Sequence, residues 1–101
     1  MSAPVDAVTP SALRALDLSL LRHRVAAANV AQANQPGFEA LRVGTGVRSV
    51  AEAEAGLQRS GPVRLDHEVG EMLAASMAYQ TLADALSRHL AMARLAISTR
   101  S

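Results

Sequence analysis

At 101 residues the chain is sized for one small domain, and alanine occurs 21 times while Phe38 and Tyr79 are the only aromatic residues. Its ten basic residues are all arginine, spread along the chain against nine acids, so a net charge of +1 gives no clustered field for nucleic acid. Without cysteine, disulfides, thiolate zinc sites and thiol catalysis are excluded.

The alanine content points to helices that approach closely but bury little area each, so a partner chain is expected to complete the core. Met1 to Ala7 carries no basic region followed by a long apolar run, so no cleaved signal peptide is expected. The longest uncharged stretches, Val25 to Phe38 and Met72 to Ala83, are too short and polar to span a bilayer, so no transmembrane segment is expected.

In chain order, the first element is a helix over 10–33, with Thr9 as its cap and Pro10 at the first helical position, where a missing donor is harmless. Its apolar stripe reads Leu13, Leu16, Leu20, Ala27 and Val30. Pro36 disfavours helix at Gln35, and Pro36-Gly37 suits the centre of a type II turn, with Asn34 tolerant of the left-handed region before it.

Over 34–64 the periodicity weakens and glycines punctuate the chain. Leu41 to Val50 reads as a short strand or hairpin, and Val50 to Leu57 as a short helix carrying Glu52 and Glu54. The last element is a helix over 66–98, with Asp66 as its cap. Positions 69, 72, 76, 79, 83, 86, 90, 93 and 97 alternate three- and four-residue spacing and form a seam containing Val69, Met72, Tyr79, Leu86, Leu90 and Ile97. Leu73, Met77, Leu82 and Leu95 fall off that seam, which widens the apolar surface beyond the need of one partner helix and suggests another subunit.

The search for chemistry returns ordinary surface explanations. His23, His67 and His89 lack the spacing of two imidazoles sharing a metal on one helical face. Asp66, Glu68 and Glu71 read as favourable charge at a helix N-terminus, and Asp84 with Arg88 as a solvated i,i+4 pair. Ser76 and Tyr79 have no base at a matching position, and Gly44 with Gly46 lacks the third glycine of a phosphate loop. No catalytic residue, cofactor or metal is expected, and the chain reads as a non-enzyme.

The run from Ala28 to Phe38 resembles the signature of flagellar basal-body rod and hook proteins, in which a helix reading Asn-Ile-Ala-Asn ends in Thr-Pro-Gly-Tyr or Phe. Asn29, Ala31, Pro36, Gly37 and Phe38 match directly, and Val30 and Asn34 are close; Gln32 and Gln35 depart from it. The segment with Val63, Leu65, Asp66, Glu68, Met72, Tyr79-Gln80-Thr81-Leu82 and the Met92 to Ile97 ending is similar to the C-terminal part of the family's proximal members.

The resemblance implies an all-α fold in which long N- and C-terminal helices pack as an antiparallel, coiled-coil-like pair around a short irregular or small β middle. It implies a structural subunit of the periplasmic rod, exported by the flagellar type III apparatus without a cleaved signal. The partners it implies are further copies of itself, FliE at the rod base and subunits of the FlgC and FlgF type. A cytoplasmic helical adaptor or export chaperone that binds one partner helix is the alternative the seam allows.

Overall fold

The computed structural model describes the backbone of residues 3–100 and the side chains of residues 10–99. Two long helices dominate: α1 (Ala3–Ala31) and α3 (Leu65–Arg100), packed on one another. Asn29 meets Glu68, Ser19 and Leu20 lie beside Ala75 and Tyr79, and Ala12 lies beside Leu86, so the two helices run antiparallel. Between them come β1 (Leu41–Arg42), the short helix α2 (Val50–Ala55) and β2 (Gln58–Arg59). The mostly helical architecture with a small β middle is as the sequence indicates.

Several boundaries and faces differ from the sequence expectation. The first helix begins at Ala3, before Pro10, which sits inside it. Thr9 is therefore a helical residue and not the cap; its side chain lies outside the described set. A proline there removes one N–H bond to the preceding turn, and the alanine-rich flanks tolerate the loss. At the other end α1 stops at Ala31, and Gln35 N–H donates to Gln32 O at 3.0 Å in the turns that follow.

The Pro36-Gly37 turn forms as expected: Gly37 takes φ 77°, and Phe38 N–H donates to Gln35 O at 3.2 Å. Asn34 does not enter the left-handed region; among the described residues only glycines have positive φ. Glycine at 37 satisfies the turn alone, so no second left-handed residue is needed.

The middle segment is closed by its own ends. Leu41 pairs with Arg59 and Arg42 with Gln58, antiparallel, and Ala40 bonds through both N–H and C=O to Gly61 and Ser60. The strand after Phe38 thus pairs across α2, and not within a hairpin over Leu41–Val50. Ser49 caps α2 by accepting from Glu52 N–H at 3.2 Å, while the Glu52 carboxylate accepts from Arg48 N–H at 3.3 Å. This is a capping-box arrangement whose return bond reaches one residue further back than usual. Ala53 of α2 and Ala40 are fully buried.

The third helix starts at Leu65, so Asp66 is in its first turn and is not its cap. Asp84 and Arg88 form no ion pair; each is exposed. Water solvates both ends as well as the pair would, which is why exposed i,i+4 pairs contribute little.

The most buried positions of the helix–helix contact are small, Ser19, Ala26 and Ala75, with Met72, Leu82 and Leu86 half-buried beside them. Small side chains let the two backbones close, and Leu13, Leu20 and Val69 are left on the flanks. The molecule measures 64 × 23 × 15 Å with a radius of gyration of 17.6 Å, against about 13 Å for a compact chain of this length.

Candidate functional site

Two features stand out, a buried polar junction at one end of the helix pair and an uncovered apolar face along it. The junction is built on Asn29, fully buried near the end of α1. Because both backbone groups of Ala40 point to Ser60 and Gly61, just past β2, those of the next residue, Leu41, point the other way, as strand geometry requires. They meet the Asn29 amide. Leu41 N–H donates to Asn29 Oδ1 at 2.9 Å, and Asn29 Nδ2 donates to Leu41 O at 3.0 Å. The side-chain amide therefore serves the free edge of β1 as a further strand would.

Asn29 Nδ2 also donates to Glu68 Oε1 at 3.0 Å, and Arg42 Nη1 donates to Glu68 Oε2 at 2.7 Å. Glu68 belongs to the first turn of α3 and its side chain is 1% exposed, whereas that of Arg42 is 30% exposed. One carboxylate thus ties α3 to α1 and to β1 at once. The expectation that Glu68 is merely favourable charge at a helix start is corrected here: burial and two charge-assisted or amide donors make it the centre of the junction. Beside it lies a shallow cavity of about 210 Å³ lined in part by Arg22, His67, Glu71 and Thr45. His67 Nε2 stands 3.8 Å from Glu71 Oε1, with both side chains about half exposed.

Next to the junction the Arg59 guanidinium sits 5.5 Å from the centroid of Phe38, and its Nη1 donates to Glu39 O at 3.1 Å. Of the turn motif, then, Asn29 is buried and Phe38 half-buried, while Ala31, Asn34, Pro36 and Gly37 are exposed. The motif forms the closed end of the helix pair.

The uncovered face follows from helix geometry at 100° per residue. On α1 the inward positions are Ala15, Ser19, Ala26 and Asn29, not the leucine stripe. The middle segment lies over the Leu18 and Val25 side of α1, near Arg48 and Val43. Leu13 and Leu20 point to the opposite side and are exposed, and Leu16 and Val30 are half-buried.

On α3 the inward set includes Glu68, Met72, Ala75, Leu82, Leu86, His89 and Ala93. The expected seam is divided between contact and solvent. Met72 and Leu86 belong to the intramolecular contact, but Val69, Tyr79, Leu90 and Ile97 are exposed, the last by 71%. Leu65 and Leu73 extend the exposed row. Leu20, His23, Ser76 and Tyr79 line a groove of about 340 Å³ between the helices on this side. Burying Glu68 with its partners, and seating Ala75 against α1, turns α3 so that the larger residues flank the contact.

Among the described residues no group of three His, Asp or Glu side chains is placed to hold a metal ion, and no helix is long and apolar enough to cross a membrane. The accessible surface is 7160 Å², against about 5,500 Å² for a compact monomer of this mass. The excess of about 1,700 Å² on one chain is about twice the roughly 800 Å² that each partner gives up in a standard protein–protein interface. Comparison with known proteins adds nothing to this geometry: no protein-family model, no curated protein and no solved structure matches the chain.

Proposed function

We propose that the chain is a structural subunit of the bacterial flagellar rod, most similar to the proximal FlgB type, that assembles through its terminal helices into a torque-transmitting tube around an export channel. The observation that carries the reading is the uncovered face, on which both terminal helices present Leu13, Leu20, Val69, Tyr79, Leu90 and Ile97 to solvent. A face this apolar, in a chain with surface in excess of a compact monomer's, is suited to burial against neighbouring subunits. The resemblance of the Asn29 to Phe38 turn supports the family reading, and the burial of Asn29 at the closed end gives that residue a structural task that suits a repeating subunit.

On this reading the chain is not an enzyme; it resides in the periplasmic rod after type III export, and its neighbours are its own copies, FliE and subunits of the FlgC and FlgF type. Leu90, exposed by 40%, separates assembly from folding. Leu90→Glu abolishes swimming in the native bacterium while the cellular level of the protein is unchanged. Normal swimming by that variant contradicts the reading. Retention of the wild-type chain in the cytoplasm of flagellated cells points instead to the adaptor or export chaperone, with one partner helix seated in the Leu20–Tyr79 groove.

A further inference from the structure

The charge pattern along α1 bears on what covers the uncovered face. Leu13, Leu20 and Ala27 repeat every seven residues along the α1 edge that turns away from the middle segment. Leu16 and His23 lie between that edge and α3, and Asp17 and Arg24 form its outer rim. Asp17 and Arg24 are both exposed, and among the described residues neither makes an ion pair or hydrogen bond.

The spacing of these residues has a centre. Leu20 is midway between Leu13 and Ala27, and the midpoint of Asp17 and Arg24 falls between Leu20 and Leu21. An antiparallel copy of α1 placed edge to edge about a two-fold axis at that point sets Asp17 against the partner's Arg24, and Arg24 against the partner's Asp17. It also sets Leu20 against its own counterpart. A parallel copy would instead oppose Asp17 to aspartate and Arg24 to arginine, so charge selects the antiparallel arrangement.

The same axis brings α3 alongside its own copy, since α3 packs roughly a quarter turn around α1 from this edge. Tyr79, which shares the groove with Leu20, lies at the level of the axis. The product is a four-helix bundle with Leu13, Leu16, Leu20 and Tyr79 inside and the middle segments outside. The excess surface calculated above exceeds the roughly 800 Å² per partner that a standard interface buries.

We infer that the free chain forms this two-fold antiparallel dimer, centred on Leu20 and registered by the Asp17–Arg24 pairs. A two-fold contact closes on itself, so it covers the apolar face and stops at two copies. The inference stands apart from the rod reading; within a rod, the dimer opens before the face meets other subunits.

Equilibrium sedimentation of the full chain at low salt, from about 1 to 100 µM, tests it. The expected mass is twice the 10.6 kDa of the chain. Asp17→Arg raises the dissociation constant by about tenfold with helical circular dichroism unchanged, and the double variant Asp17→Arg/Arg24→Asp returns it to the wild-type value. Leu20→Cys, in a chain that otherwise has no cysteine, cross-links to itself on oxidation. A wild-type chain that stays monomeric at the highest concentration, an open series of larger species, or a double variant that fails to recover overturns the inference.

Discussion

Residue by residue, the fold depends most on a polar cluster that spans three elements. Arg42→Ala leaves the Glu68 carboxylate, 1% exposed, with only the Asn29 amide as partner, and costs about 3 kcal/mol of stability in urea unfolding. Replacing both members, Arg42→Ala with Glu68→Met, costs less than Arg42→Ala alone, because no charge is then stranded. A double variant as unstable as the sum of its parts would show that the ion pair is not the dominant interaction. Asn29→Asp is destabilising at neutral pH, since an acceptor replaces the donor facing Leu41 O and Glu68. Gly37→Ala meets no atom within 4 Å yet still costs about 1 kcal/mol, all of it from the left-handed backbone.

Asn29 was legible only as part of a motif, since no local pattern in the sequence says that its amide will complete a strand edge 12 residues away. Glu68 was read by its neighbours: acidic residues at a helix start usually meet solvent and the helix dipole, and only tertiary contact with Arg42 and Asn29 buries this one. The Ser49–Glu52 cap, by contrast, is a local signal, Ser-x-x-Glu, that was present in the sequence and unread. Its weight is measurable: Ser49→Ala loses about 1 kcal/mol of local α2 stability, seen as faster hydrogen exchange at the Glu52 amide. Unchanged exchange there would remove the cap from the description of α2.

Among the elements, periodicity located both long helices without dividing their apolar residues between the intramolecular contact and the solvent. Leucine spacing identifies an apolar surface without saying which partner covers it. Here the small residues Ser19, Ala26 and Ala75 take the intramolecular contact, and the larger Leu13, Leu20, Val69, Tyr79 and Leu90 are left at its flank. The choice is physical: small residues allow close backbone approach along the helix pair, and the middle segment then covers one side only. The seam over 69–97 was a reading of apolar spacing that named no partner: Met72 and Leu86 meet α1, while Val69, Tyr79, Leu90 and Ile97 stay exposed. The short β pairing was the least legible element, because two-residue strands joined across α2 have no periodicity to detect.

For the whole molecule, elongation and surface area decide the interpretation. A 64 Å helix pair with a single small segment on one side cannot bury its own large side chains. On the proposed reading, assembly with neighbouring subunits supplies the missing cover. The most direct measurement is mass spectrometry of purified hook–basal bodies from the native bacterium, with the cytoplasmic fraction analysed beside them. A rod subunit is recovered in the basal bodies in constant ratio to the other rod proteins. Its absence there, with the chain abundant in the cytoplasm of the same flagellated cells, would contradict the rod assignment.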